Sequence, residues 1–226
     1  MQVNDPNTTM QASEIEELKN PMRYAHSDRR EVMLQKECYY TEIDLKDFGF
    51  KSLGRNVRIS SDARIYGAER ISIGDDVRID DFTMLATGGG YITIGNGCEI
   101  TRCCNLTGTL GIEMCDYSSM GANTVIYSAS DDYSGEYMTN QVIPREFTKF
   151  VGGKVTLGRH VIVGASSVII GASDIGEGCS LGAVTVVVNK NLDPWGMYAG
   201  NPARRIKERK RGLLELEKQL LARRAR

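Results

Sequence analysis

Residues 71–85, ISIGDDVRIDDFTML, and residues 92–106, ITIGNGCEITRCCNL, carry a large aliphatic side chain at every sixth position: Ile73, Ile79 and Leu85, then Ile94, Ile100 and Leu106. Two positions before the second and third of each set lies a smaller inward candidate, Val77 and Thr83 in one stretch, Cys98 and Cys104 in the other. A period of six fits neither the 3.6-residue repeat of a helix nor the alternation of an isolated strand. It fits a solenoid of short strands joined by tight corners, three strands to a coil.

The register continues outward to Ile59 and Ile65 on one side, and to Met114, Met120, Ile126, Leu157, Val163, Ile169, Ile175, Leu181 and Val187 on the other. Ala63, Ser118, Thr124, Val161, Ser167, Ser173, Cys179 and Thr185 fill the small slot. It slips only between positions 65 and 73, 85 and 94, 106 and 114, and 126 and 157. That is once per coil, so every insertion falls on one corner of a triangular prism, an arrangement that commonly builds a binding face. The longest insertion, residues 128–154, gathers Asp131, Asp132, Tyr133, Glu136 and Tyr137. Insertions of that length in a compact fold are usually functional.

In 226 residues, 28 Lys and Arg oppose 29 Asp and Glu, which gives no general attraction to nucleic acid or an anionic membrane. With 24 glycines and 5 prolines, the turns are expected to rely on glycine's positive-φ freedom. The N-terminal residues show no basic and apolar leader pattern, and no apolar run approaches the ~18 residues of a membrane span. A cytoplasmic protein without membrane insertion is the expectation. Its cysteines, Cys38, Cys98, Cys103, Cys104, Cys115 and Cys179, are then thiols. Those in the small slot pack as compact hydrophobes, and the adjacent Cys103 and Cys104 lack zinc-ligand spacing, so no metal is expected.

Residues 1–52 read as an N-terminal helical extension that caps the first coil. Ser13 and Glu16 form a capping box for one short helix; Thr41 and Asp44 open another, which stops at Gly49. Residues 53–200 read as the solenoid, with 128–154 as a candidate active-site loop. Residues 201–226 read as a C-terminal helix, with Ile206, Leu213, Leu216 and Leu220 on one stripe.

The motifs ISIGDD, ITIGNG, VTLGRH and VIVGAS resemble those of the hexapeptide-repeat acyltransferases over about residues 40–210. The resemblance implies an all-β left-handed parallel β-helix; the handedness comes from the family alone, because parallel crossovers are ordinarily right-handed. The stretches YYTEIDLKDFGFKSLGRNVRIS (39–60), IYSASDDYSGEYMTN (126–140) and PWGMYAGNPARRIKERK (194–210) are similar to acyltransferases of O-antigen and surface-glycan (lipopolysaccharide) pathways. They look most like those acting on nucleotide-linked amino sugars such as dTDP-4-amino-4,6-dideoxyglucose. Larger relatives carry a preceding βαβ domain for the sugar nucleotide; here the first 40 residues are too short for one, so prism and loop are expected to bind it.

Sugar O-acetyltransferases of this family carry a stretch like IYTATHP, whose histidine is the general base. Here Ile126-Tyr127-Ser128-Ala129-Ser130-Asp131 puts an aspartate in that place. An ordinary carboxylate is a weaker proton acceptor than imidazole by about 2.6 pKa units, or ~3.5 kcal/mol, which disfavours deprotonating a hydroxyl. An amine arrives as an ammonium, which carboxylates hold by charge-assisted hydrogen bonds. The loop therefore favours N-acylation, with Asp131 as base or ammonium-positioning group, Asp132 or Glu136 assisting, and Tyr127, Ser130, Tyr133 and Asn140 binding substrate. The histidines are His26, outside the repeat, and His160, at an outward corner. They do not suit the three-histidine metal site of a γ-class carbonic anhydrase.

The resemblance further implies a homotrimer with acetyl-CoA or another acyl-CoA as co-substrate, lying between neighbouring prisms. The matching positions are Gly164 and Ala165, Gly182 and Ala183, Lys190, and Arg204 and Arg205, although tight corners need such small residues in any case. A backbone N–H within 157–169 is the expected oxyanion donor. Two alternatives stay open: O-acetylation with His160 or a water chain as base, and a non-catalytic assembly module.

Overall fold

The computed structural model describes residues 39–224; the predicted Ser13–Glu16 helix and His26 lie outside the described residues. The chain winds as a parallel β-solenoid of about seven turns. Its first face stacks Ser52–Leu53, Ile71–Ile73, Ile92–Ile94, Ile112–Met114, Val155–Leu157 and Ser173–Ile175. The second stacks Arg58–Ile59, Arg78–Ile79, Glu99–Ile100, Ser119–Met120, Ile162–Val163, Ser180–Leu181 and Gly196–Ala199. The third stacks Arg64–Tyr66, Met84–Ala86, Asn105–Thr107, Val125–Tyr127, Val168–Ile170 and Val186–Val188.

The six-residue register becomes three aliphatic ladders inside the prism. Ile73, Ile94, Met114, Leu157 and Ile175 pair from coil to coil on the first face. Ile79, Ile100, Met120, Val163 and Leu181 do so on the second, and Leu85, Leu106, Ile126, Ile169 and Val187 on the third. All are buried, as are the small-slot residues from Ala63 to Thr185; Ile65, in the terminal coil, is only partly so. The thiols of Cys98, Cys104 and Cys179 point at carbonyls of the next coil, and burial pushes each above its ordinary pKa. All five described cysteines are free.

The expectation that glycine carries the turns is corrected at the second corner and only partly met at the first, where Gly97 and Gly178 share the left-handed position with other residue types. Asp76, Tyr117, His160 and Trp195 take left-handed backbone at the first corner, and Phe82, Cys103, Asn123, Ser166 and Val184 at the second. For bulky residues this conformation is strained. Hydrogen bonds between coils offset it: Tyr117 N–H donates to Asn96 O at 2.8 Å, His160 N–H to Asp116 O at 3.1 Å, and Val184 N–H to Ala165 O at 2.9 Å.

The N-terminal end is closed by helix α1 (Glu42–Asp47), opened by the expected Thr41–Asp44 capping box. Leu45 enters the core, and Tyr40, Phe48 and Phe50 pack beside it. The C-terminal end departs from expectation. Arg204–Glu208, read as helical, is a strand that pairs antiparallel with Gly196–Ala199 and covers the edge of the last coil. Ile206 is exposed there, so the expected stripe does not form. Helix α2 (Leu213–Arg224) follows, and its buried residue is Glu217, held by Arg159 and by His160 Nε2 at 2.9 Å. Arg224 pairs with Asp76 at 2.9 Å. Among the described residues no helix is long and apolar enough to cross a membrane.

Candidate active site

The insertions do fall on one corner, between the third face and the first. They comprise the 3-10 turn Ala68–Arg70, the glycine run 88–90, the turn 108–111 and the loop 128–154. The loop departs from a fixed point. Ser128 is buried; its Oγ accepts the Leu110 N–H at 2.8 Å and donates to Thr107 O at 3.1 Å. The chain then leaves as an antiparallel hairpin, Ala129–Asp131 against Phe150–Gly152. Gly152 is required at the return, because its φ is 142° and a Cβ would lie 2.3 Å from Ser128 O. Farther out, Met138 N–H donates to Phe147 O at 2.9 Å, tying the 3-10 turn Arg145–Phe147 to the outgoing limb of the loop.

Between this loop and the neighbouring coils lies a pocket of about 610 Å³. Met84, Ala86, Thr107 and Tyr127, from successive strands of the third face, form one side; Ser130, Asp131, Tyr133, Arg145 and Phe150 belong to the loop. Asp131 and Arg145 are its only charged side chains among the described residues. Asp131 Oδ2 accepts the Asn140 N–H at a long 3.4 Å.

Of the residues singled out in the loop, Tyr127, Ser130, Asp131 and Tyr133 line the pocket, while Asp132, Glu136 and Asn140 do not. Asp132 is turned to bracing the loop: its oxygens accept the Ser134 N–H at 3.0 Å and Oγ–H at 2.6 Å, and these bonds hold its carboxyl below the ordinary carboxylate range. Glu136 is exposed, and Asn140 acts through its backbone and by accepting the Val142 N–H. Sequence reasoning missed Arg145, Phe150, and the coil residues Ala86 and Thr107. The last two were within reach, since the repeat places 86, 107 and 127 in one column, and the strands pair in that register.

The positions matched to acyl-CoA lie elsewhere in the chain. Gly164, Ala165, Gly182 and Ala183 occupy the second corner, where a Cβ on Gly164 would lie 2.4 Å from Ala183 N. Close stacking of coils thus requires that glycine. Lys190 Nζ donates to Ala203 O at 3.1 Å, and Arg205 pairs with Glu208 on the exposed terminal strand beside Arg204. The N–H groups of Gly158, Val161, Ile162, Gly164, Ser166 and Val168 are all bonded to carbonyls, which leaves none of these as the oxyanion donor expected in 157–169. His160 sits at the first corner, stacked on Tyr117 with ring centroids 5.3 Å apart and bonded to Glu217, away from the pocket. Burial and the Arg159 guanidinium push its pKa below the ordinary imidazole value. Among the described residues no His, Cys, Asp and Glu cluster could hold a metal ion.

No family model matches the chain. It is 41% identical over 180 residues, 80% of this chain and 93% of the relative, to an Escherichia coli dTDP-4-amino-4,6-dideoxy-D-glucose acyltransferase. It is 42% identical to AntD, an N-acyltransferase from Bacillus cereus, whose crystal structure with dTDP and 3-hydroxybutyryl-CoA superposes with a TM-score of 0.81 over 84% of this chain and 100% of that one. A variant of AntD with dTDP-4-amino-4,6-dideoxyglucose and coenzyme A gives a TM-score of 0.79 over 83% of this chain and 99% of that one, also at 42% identity. The coils match the left-handed β-helix of these acyltransferases. A maltose O-acetyltransferase from Clostridium difficile, 21% identical with a TM-score of 0.51 over 75% of each chain, shares the fold.

Proposed function

Since the chain belongs to the family of dTDP-4-amino-4,6-dideoxyglucose acyltransferases, we propose that the pocket at the inserted corner binds the sugar nucleotide and that Asp131 serves its amine. The observation that carries this reading is a carboxylate, and no histidine, among the described residues lining the pocket. The enzyme is an acyl-CoA-dependent N-acyltransferase. Asp131 holds the incoming ammonium by a charge-assisted hydrogen bond and takes one proton from it. The freed nitrogen lone pair attacks the thioester carbonyl carbon. As the C–N bond forms and the C–S bond breaks, the coenzyme A thiolate leaves and takes the second proton from nitrogen. The products are the amide, free coenzyme A, and one proton released from Asp131 to solvent.

No covalent enzyme intermediate is needed, because the amine is itself a competent nucleophile. Tyr127, Ser130 and Tyr133 contact the sugar nucleotide, while Asp132 supports the loop. The assembly is a homotrimer, with acyl-CoA between neighbouring prisms beside Gly164, Ala165, Gly182, Ala183, Lys190, Arg204 and Arg205. In support, Phe82, Ile162, Val184 and Val188 are large apolar side chains left 45–66% exposed. A cytoplasmic enzyme supplying an acylated amino sugar for surface-glycan assembly fits these substrates.

The test offers purified enzyme and acetyl-CoA or 3-hydroxybutyryl-CoA either dTDP-4-amino-4,6-dideoxyglucose or dTDP-glucose, following free thiol and product mass. Amide formation with the amino sugar is expected. Ester formation at a comparable rate would instead support the O-acetyltransferase alternative.

A further inference from the structure

We infer that Arg145 recognises the diphosphate of the sugar nucleotide, so that Asp131 and Arg145 together fix the direction in which the acceptor enters the pocket. The inference rests on the acceptor reading given above. In dTDP-4-amino-4,6-dideoxyglucose the amine at C4 and the diphosphate on C1 lie at opposite ends of one hexose ring. The substrate therefore presents one cationic and one strongly anionic end, and the pocket offers one carboxylate and one guanidinium. Entry in the reverse sense would set the diphosphate against Asp131 and the ammonium against Arg145, two repulsive contacts in place of two attractive ones.

Arg145 is well placed for this work. Its backbone is held in the 3-10 turn by Phe147 N–H donating to Pro144 O at 3.0 Å and Thr148 N–H donating to Arg145 O at 3.3 Å. The Met138 N–H bond to Phe147 O ties that turn to the outgoing limb of the loop. Arg55, Arg78, Arg159 and Arg224 are committed to carboxylates, whereas no ion pair among the described residues involves Arg145. A guanidinium presents paired donors that match phosphate oxygens two at a time, which an ammonium cannot do.

The experiment uses full-length enzyme and dTDP alone as the calorimetric probe, with coenzyme A as the internal control. Arg145→Ala is expected to weaken dTDP binding about tenfold or more, the usual value of a charge-assisted contact. Arg145→Lys should recover part of the loss, because it keeps the charge and loses the fork. In steady-state assays the change falls on KM for the sugar nucleotide, and KM for acyl-CoA stays put. If wild type acylates the amino sugar yet Arg145→Ala binds dTDP as tightly, this inference fails while the acceptor reading stands. Parallel losses of dTDP and coenzyme A affinity in both variants would mark a structural role and equally overturn it. A wild-type enzyme that neither binds dTDP nor acylates the amino sugar overturns both.

Discussion

Asp131 stands opposite Phe150 in the hairpin through which the loop leaves the solenoid, and both side chains line the same pocket. The pairing explains how a carboxylate on a long insertion acquires a defined position. Ser128 anchors one strand on the coil below, Gly152 lets the other return at close range, and the two cross-braced strands project the carboxylate between them. A catalytic group needs this kind of support, since misplacement by about 1 Å can cost ~100-fold in rate.

Asp131→Asn would remove the proposed proton acceptor and keep the shape. Its expected effect is a fall in kcat/KM for the amino sugar nucleotide of about 10²- to 10⁴-fold, with an unchanged melting temperature. Asp132→Asn, which disturbs only the Ser134 brace, is expected to fall less. Steady-state kinetics on the two variants checks the ranking, and near wild-type kcat/KM in Asp131→Asn would remove that residue from the mechanism.

Glu113 accepts from Lys154 Nζ and from Tyr91 Oη, each at 2.7 Å, and so pins the C-terminal root of the loop. These bonds lower the Glu113 pKa, and the carboxylate raises that of Lys154. The stabilisation is therefore complete above the unfolded glutamate value of ~4.3 and below the unfolded lysine value of ~10.4. It is lost as pH falls through the depressed Glu113 pKa, or rises through the elevated Lys154 pKa. Because both groups are partly exposed, Glu113→Gln should cost under about 1 kcal/mol at pH 7. Melting curves should show that difference closing as the solution is acidified below the glutamate range.

Glu217 is 8% exposed, and it is the contact through which helix α2 meets Arg159 and His160. Glu217→Ala leaves those groups without their carboxylate. The expected loss is about 1–3 kcal/mol, since Arg159 can still turn to water. Trypsin should release the helix faster from this variant than from wild type, while kinetics at the distant pocket stay unchanged. Equal digestion rates would show that the Glu217 contacts do not hold the helix.

Gly164→Ala drives a methyl group into the backbone of the next coil. Neither neighbour can move without shifting the stack, so the variant is expected to lose stability or soluble yield outright. A stable variant whose only defect is a raised KM for acyl-CoA would mean that ligand contact, and not packing, demands the glycine.

The prism was legible because its signal is repeated: each coil places an aliphatic side chain and a small one at the same inward positions, and errors at single sites average out. The corner that carries the insertions and the candidate pocket was legible for the same reason, as slips in the register mark it. The family resemblance put Asp131 in the histidine's place, but the repeat alone does not say which acidic residue faces the pocket. Asp131 and Asp132 are neighbours of the same type, and only the strand's alternation, together with the Ser134 bonds, turns one toward the pocket and the other into the loop. Arg145 was passed over because the bonds that hold its turn within the loop, such as Met138 N–H to Phe147 O, follow no period.

At the C-terminus, Arg204 to Glu208 are residue types that helices accept readily, yet they form a strand, because the last coil presents an edge whose backbone groups need partners. Repetition thus fixed the solenoid, its core and the corner that carries its insertions from the amino acids alone. The facing of individual side chains within the loop, and the fate of the segment after the last coil, were decided by tertiary structure. Both depend on hydrogen bonds to chain distant in sequence, which no local pattern encodes.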